Sequence, residues 1–169
     1  MSKPSPTSYP GYFQKYIDQV TEQDLPTAFS KQLHVIKAFL SGISEEKSGY
    51  AYSEGKWTLK ELLQHIIDTE RIFDYRALCF ARKEAASLPG FEENDYAANS
   101  NANTRSWQGL VEEFGVVRRA TELLFGSFTD EALATIGLAN NNHTSVASIG
   151  FIIVGHFYHH KKVMEERYL

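Results

Sequence analysis

The stretch that decides the fold is Ile149-Gly-Phe-Ile-Ile-Val-Gly-His156-Phe-Tyr-His-His160-Lys-Lys-Val163. At about 100° of rotation per residue, its isoleucines, its last valine and two of its histidines fall within one arc of about 100° on a helix. The two lysines face elsewhere. The spacing therefore predicts a helix that buries one face, with His156 and His160 one turn apart in the middle of that face.

We expect four long helices along the chain. Their predicted ranges are roughly Asp24 to Ile43, Thr58 to Lys83 from a capping box, Thr104 to Phe125, and a cap at Thr144 or Ser145 to Arg167. A short helix around Tyr12 to Val20 can precede them. No segment alternates β-branched and polar residues long enough to predict a sheet. The expected fold class is therefore all-α, and the expected architecture is a four-helix bundle.

The remaining segments suggest how the chain is organised. Residues 1–11 contain three prolines and several serines, which predicts a flexible N-terminal arm before a single domain over residues 12–169. Residues 44–56 are predicted to form a loop. The connection from Ala85 to Asn103 is longer than a bundle turn requires, so we expect it to cover a site as a lid that selects the substrate.

Composition excludes several classes of protein. The 169 residues fit one domain, and the net charge of -4 comes without any run of Lys or Arg, so nucleic acid is not an expected partner. The longest apolar run, residues 149–154, is far shorter than the roughly 20 residues that a membrane span needs. The single cysteine, Cys79, and the lack of a leader at the N-terminus predict a cytoplasmic protein. Cys79 itself is expected to be a small core residue.

Histidines in the apolar face of a helix need partners for their ring nitrogens. His156 and His160 have the i, i+4 spacing with which zinc enzymes take two ligands from one helix. The alternative is that both are core histidines hydrogen-bonded to a carbonyl or a carboxylate. His65 lies beside the apolar arc of the second helix and supplies a third candidate ligand. His159 falls at the edge of the stripe, and we assign no function to His34 or His143.

Two further residues of the second helix are candidates for a catalytic role. Arg76 projects close to the direction of His65 and can receive an anionic group of a substrate, or can form a surface salt bridge. Glu70 falls near the centre of the apolar arc, where a free carboxylate is costly. It can act as a general base, or it can pair with Arg118 or Arg119 of the third helix.

Several segments together resemble one protein family. They are Gly55-Lys-Trp-Thr58, Leu62-Leu-Gln-His65-Ile-Ile-Asp-Thr-Glu-Arg71-Ile-Phe-Asp-Tyr-Arg76, Leu88-Pro-Gly-Phe91 and Gly155-His-Phe-Tyr-His-His160. The combined pattern is similar to the DinB superfamily, also called the DinB/YfiT-like metalloenzymes, from about residue 12 to residue 169. The resemblance implies up-down-down-up connectivity, often a homodimer, and a metal ion held by one histidine of the second helix and an HxxxH pair of the fourth. In this sequence those ligands are His65, His156 and His160.

The resemblance also implies a class of chemistry. Family members with known activity resemble thiol S-transferases that use glutathione, mycothiol or bacillithiol, and the family is named for induction by DNA damage. We therefore expect a metal-dependent enzyme, such as a thiol-dependent S-transferase that acts on small electrophiles and uses a low-molecular-weight thiol. A metal-dependent hydrolase and a non-catalytic metal-binding or stress-response module are the alternatives. Ligation by nitrogen favours zinc or nickel, with iron or manganese as further candidates.

Overall fold

The computed structural model describes residues 3–169 of the chain. Its elements are 3-10 turns at Pro6–Ser8, Gly11–Phe13 and Ala102–Thr104, strands β1 (Ile136–Ala139) and β2 (Asn142–Ser145), and helices α1 (Gln14–Ile17), α2 (Leu25–Ser41), α3 (Glu45–Ser48), α4 (Leu59–Ala81), α5 (Glu93–Asn99), α6 (Trp107–Gly126), α7 (Asp130–Ala134) and α8 (Val146–Arg167). The long helices α2, α4, α6 and α8 confirm the predicted four-helix bundle. Among the described residues, no helix is both long and apolar enough to cross a membrane.

Helices α4 and α6 run parallel to each other. Lys60, in the first turn of α4, donates a hydrogen bond to the carbonyl of Arg105, just before α6 begins. Further along both helices, Arg118 pairs with Glu70. A parallel pair of helices cannot be joined by a tight turn, so residues 82–106 cross the length of the bundle. We call this segment the crossover.

Helices α2 and α8 also run parallel, and both oppose α4 and α6. Gln32 in α2 donates to the carbonyl of Val154 in α8. About two turns further along both helices, the Lys161 ammonium lies over the Phe39 ring. The indole of Trp107, at the start of α6, donates to the last turn of α2, so these two helices are antiparallel. The directions in chain order are therefore up-down-down-up, as predicted.

Side chains that satisfy free backbone N–H groups fix where the long helices begin. Thr58 and Glu61 form the predicted capping box at the start of α4, each accepting from the backbone of the other. Ser145 caps α8 as predicted. Helix α6 begins at Trp107 rather than at Thr104, because the side chain that accepts from its first turn is that of Ser106.

A buried polar network joins the four long helices. Arg118 is fully buried, and its guanidinium donates two hydrogen bonds of 2.8 Å to the Glu70 carboxylate. Arg118 also donates to Gln32, which in turn donates to the carbonyl of Val154. The Thr121 hydroxyl donates a hydrogen bond of 2.8 Å to the Glu70 carboxylate. The structure therefore places Glu70 in the ion pair with Arg118 that its burial predicted.

The described part of the N-terminal segment, residues 3–11, contacts the bundle through Ser8 and Tyr9, and the flexible arm stays a prediction. Tyr9 is only 6% exposed and belongs to the core, and the Ser8 hydroxyl lies 2.9 Å from that of Ser148 in α8. The prolines restrict the backbone of this segment rather than loosen it. Residues 1 and 2 of the predicted arm lie outside the described residues.

A two-stranded antiparallel sheet stands between α7 and α8, which corrects the expectation of no sheet. Its strands are joined by Asn140 and Asn141, which both have positive φ, as a tight hairpin turn requires. Gly137 in β1 lies against the Phe80 ring, where an added Cβ would overlap the aromatic carbons. Strands of four residues are too short to show a period in sequence. We call β1 and β2 with their turn the hairpin.

Two segments predicted as loops contain short helices. Helix α3 interrupts the predicted loop over residues 44–56, and the crossover contains α5 and a 3-10 turn. The crossover is also bonded to the hairpin: Leu88 donates to the carbonyl of Leu138 and accepts from the backbone N–H of Asn140. The path of the crossover is therefore fixed by β-type pairing as well as by helix packing.

Candidate metal centre

Three histidines from two helices converge at one point of the bundle. His156 and His160 stand one turn apart on α8, and His65 faces them from α4. The Nε2 atom of His156 lies 3.2 Å from Nε2 of His65 and 2.9 Å from Nε2 of His160. His65 and His156 are each 6% exposed, and one ring nitrogen from each of the three residues lies within 4.8 Å of the others.

These distances suit a metal ion. Nitrogen ligands about 2.1 Å from a tetrahedral ion are roughly 3.4 Å from one another, close to the separations of the Nε2 atoms. Hydrogen bonding satisfies the rings poorly, because a neutral imidazole carries a single N–H and the buried Nδ1 of His160 has no partner among the described residues. Within residues 3–169, no carbonyl or carboxylate is hydrogen-bonded to these rings, although the core-histidine alternative needs one. The cluster can therefore hold a metal ion.

The protonation states of the rings agree with ligation. Burial lowers the pKa of His65 to about 4. Burial, followed by the neighbouring imidazoles, lowers the pKa of His156 and of His160 well below the usual value. All three side chains are therefore neutral near pH 7, and the neutral imidazole is the form that binds metals.

Helix α1 covers the outer side of this cluster. An added Cβ at Gly155 would overlap the carbonyl of Tyr16, so glycine at this position lets α1 approach α8 closely. The Tyr16 ring then meets the rings of His156 and His159 edge to face, with centroid distances of 5.4 and 5.2 Å. His159 is half-buried at the edge of the site, as its angular offset predicted. Tyr16 was not predicted, since its contact depends on how the chain folds back before α2.

A cavity of about 400 Å³ borders His65 and His156, and we call it the first cavity. Its walls come from α1, α4, α8, the crossover and the hairpin. Phe73, Phe91 and Ile152 make much of the wall apolar, and Asn140 adds a polar group at the hairpin turn. A small organic molecule that carries both apolar and polar groups therefore fits beside the histidines.

A second cavity, of about 240 Å³, borders His160. Its lining includes the aromatic residues Trp57 and Tyr168, and the Trp57 ring lies 4.9 Å from that of His65. Glu93, in α5 of the crossover, lines both cavities. The crossover thus lies where the sequence predicted a lid. His65 and His156 face the first cavity, and His160 faces the second.

The two candidate catalytic residues have different surroundings. Arg76 lines the first cavity, is 9% exposed, and donates one hydrogen bond of 2.9 Å to the carbonyl of Pro89. The alternative of a surface salt bridge does not hold, because among residues 3–169 no carboxylate lies within ion-pair distance of Arg76. Glu70 is committed to Arg118 and lines neither cavity. Of the two, only Arg76 lies where it can contact a ligand.

Similarity to known proteins extends over most of the chain. The family model described as DinB superfamily matches residues 28–164. YfiT from Bacillus subtilis, described as "a probable metal-dependent hydrolase with an unusual four-helix bundle topology", matches with a TM-score of 0.72 and 16% identity over 97% of this chain and 90% of that chain. The mycothiol-dependent maleylpyruvate isomerase matches with a TM-score of 0.68 and 13% identity over 82% of this chain and 58% of that chain. At these identities the two structures establish a shared fold. No protein of curated function matches the sequence.

Proposed function

The chain belongs to the DinB superfamily, and we propose that His65, His156 and His160 hold one divalent metal ion in the active site of a thiol-dependent S-transferase. The observation that carries the proposal is the convergence of three neutral imidazole nitrogens beside a cavity of about 400 Å³. Three ligands leave a coordination position open, which distinguishes catalytic from structural zinc-type sites. Two neighbouring structures support separate parts of the proposal: YfiT, described as a probable metal-dependent hydrolase, supports the metal, and the mycothiol-dependent isomerase supports the thiol.

An all-imidazole set suits zinc or nickel best, with iron and manganese as further candidates. Such an ion, when bound, lowers the pKa of a coordinated thiol and so raises the fraction of thiolate at neutral pH. In the reaction, the thiol releases its proton to solvent and its sulfur forms a bond to carbon of the electrophile. The bond from that carbon to the leaving group, or to the ring oxygen of an epoxide, breaks with its electron pair going to the leaving atom. The substrates are therefore a low-molecular-weight thiol and a small electrophile.

The protein contributes separate places for the two reactants. The first cavity meets the cluster at His65 and His156, and the second meets it at His160. A two-substrate reaction requires room on more than one side of the reacting atoms. Phe73 and Phe91 of the first cavity reduce contact with water, which strengthens electrostatic interactions at the neighbouring imidazoles.

Hydrolysis is the second candidate. It is favoured by the likeness to YfiT, which is described as "a probable metal-dependent hydrolase". In that reaction, water takes the place of the thiol as the nucleophile. The two candidates use the same ligands and differ in the nucleophile, so they are separated by whether product formation depends on the thiol concentration.

The first experiment is elemental analysis of protein purified without a metal-affinity tag. We expect close to one zinc or nickel ion per chain in the wild type and none in a folded His156→Ala/His160→Ala variant. The exposed His34 gives a matched control, because His34→Ala removes an imidazole outside the cluster and should leave the metal content unchanged. Absence of metal in the wild type after incubation with each of the four candidate ions would overturn the metal centre.

The second experiment measures turnover of the metal-loaded protein. Thiols such as glutathione are combined with a panel of small alkyl halides and epoxides, and thioether formation is followed. We expect saturable turnover that His65→Ala abolishes and His34→Ala preserves. Metal without turnover across the panel would favour the non-catalytic module, and product formation without any thiol would favour the hydrolase.

A further inference from the structure

Arg76 differs from the other buried arginine of the protein in having no acidic partner. Arg118 is fully buried and pairs with the carboxylate of Glu70, whereas Arg76 is 9% exposed and, among residues 3–169, lies within ion-pair distance of no carboxylate. Burial of a cation without a counter-ion is costly. Its guanidinium has five N–H groups, and one hydrogen bond, to the carbonyl of Pro89, is formed. Most of its donors are therefore available to a ligand.

The position of the guanidinium is fixed by its neighbours. Its central carbon lies 5.5 Å from the centroid of the Phe73 ring and 5.9 Å from that of Phe91. Aromatic faces on two sides and the hydrogen bond to Pro89 restrict the side chain to one orientation. A charge held in this way loses little conformational entropy when it binds an anion.

The charges that line the first cavity are complementary to an anion. They are Arg76 and Lys15, which are positive, and Glu93, which is negative. Lys15 and Glu93 are exposed, whereas Arg76 is buried, so solvent screens the first two more strongly. A divalent ion held by the histidines would add positive charge at the inner end of the cavity. The inner part of the cavity therefore favours a negatively charged ligand.

We propose that Arg76 binds a carboxylate, or an anionic group of similar shape, on the small molecule whose other end reacts at the histidine cluster. This proposal rests on the proposed function and adds the substrate class: an acid whose anionic group is remote from the reacting atom. Arg76 stands eleven residues beyond His65 in α4, about 16 Å of axial rise. Both side chains lean toward the N-terminus of the helix, and the longer side chain of Arg76 reaches back further than that of His65, so the two groups line the same cavity from its opposite ends. The anion can belong to the thiol or to the electrophile.

Matched pairs of probes test the proposal. One pair is 6-mercaptohexanoate and 6-mercaptohexan-1-ol, and the other is 6-bromohexanoate and 6-bromohexan-1-ol. Each acid differs from its alcohol only in the terminal group, and the six-carbon chain keeps that group remote from the sulfur or the bromine. Affinities are measured by isothermal titration calorimetry with zinc-loaded wild type, Arg76→Met, Arg76→Lys and the control Arg167→Met, which removes a charge from the exposed end of α8.

We expect wild type and Arg167→Met to bind the acid of at least one pair roughly ten- to a hundredfold more tightly than its alcohol. Arg76→Met should remove this preference without changing the affinity for the alcohol, and Arg76→Lys should keep part of it. A preference within the mercapto pair assigns the anion to the thiol, and a preference within the bromo pair assigns it to the electrophile. Equal affinities in both pairs, or a preference that survives in Arg76→Met, would overturn the proposal.

The result is independent of the test of the metal centre. A protein that retains zinc and binds mercaptohexanol but shows no preference for acids fails only the proposal for Arg76. A protein that holds no zinc but prefers bromohexanoate to its alcohol fails only the proposed metal centre. If Arg76→Met does not fold, as judged by circular dichroism, the partial preference expected of Arg76→Lys decides the outcome.

Discussion

Replacing Arg118 with methionine should destabilise the protein more than any change of a surface charge. The side chain is fully buried and donates two hydrogen bonds of 2.8 Å to Glu70. Methionine keeps much of the length of the side chain but leaves the Glu70 carboxylate buried without its cation, and breaking a buried pair from one side costs about 3–5 kcal/mol. A chain of this size loses roughly 2–4 °C of melting temperature per kcal/mol. We therefore expect the melting temperature to fall by roughly 6–20 °C.

Urea unfolding followed by circular dichroism measures the change in free energy and needs two comparisons. Arg71 pairs with Glu113 at 2.7 Å but its side chain is 49% exposed, so Arg71→Met should cost less than about 1 kcal/mol. The double variant Glu70→Gln/Arg118→Met removes both charges and should be more stable than Arg118→Met alone. The reasoning is refuted if Arg118→Met and Arg71→Met cost the same free energy of unfolding, or if the double variant is no more stable than Arg118→Met alone.

Three further changes test other parts of the structure. Burial raises the pKa of Asp74 to about 7. Between about pH 4 and pH 7, the folded chain therefore holds a proton that the unfolded chain has released. The free energy of unfolding should fall as pH rises through that window, by up to about 1.4 kcal/mol per pH unit. Asp74→Asn should flatten this decline in urea unfolding at about pH 5 and about pH 8, and an unchanged decline would contradict the assignment. Removal of metal by a chelator should lower the calorimetric melting temperature of the wild type, because an ion at a hundredfold excess over its Kd contributes about 2.7 kcal/mol of stability. The chelator should not change the melting temperature of His156→Ala. Gly155→Ala should separate α1 from α8, cost roughly 1–3 kcal/mol and speed hydrogen exchange of the backbone amides of α1. Gly126→Ala has open space for the added Cβ and should change neither, so equal effects at both glycines would contradict the close packing.

The parts of the fold that depend on local pattern could be predicted from the sequence. Periodicity and caps located the four long helices, and the capping box at Thr58 and the cap at Ser145 are confirmed. The hairpin was missed because its strands are four residues long and its turn residues, Asn140 and Asn141, are as typical of loops as of tight turns. The burial of Tyr9 could not be predicted, because its partners come from distant parts of the chain.

Some residues of the candidate site were likewise predicted from the sequence, and others were not. The i, i+4 spacing and the helical arcs predicted which histidines face the core, and the structure brings His65, His156 and His160 together. Tyr16 and Glu93 were missed, because each reaches the site through the path of a connecting segment rather than through a periodic pattern. The homodimer and the cytoplasmic location stay predictions.

The pairing between the crossover and the hairpin has a consequence for how substrate preference can change. Leu88 is bonded to both Leu138 and Asn140, so the two segments that wall the first cavity form one unit. The histidines stand on α4 and α8, outside that unit. Grafting both segments together from a relative should therefore transfer the part of the substrate preference that this wall determines, and leave Arg76 and the histidines in place. Grafting either one alone would leave the backbone groups of Leu88 without partners and detach the wall from its support.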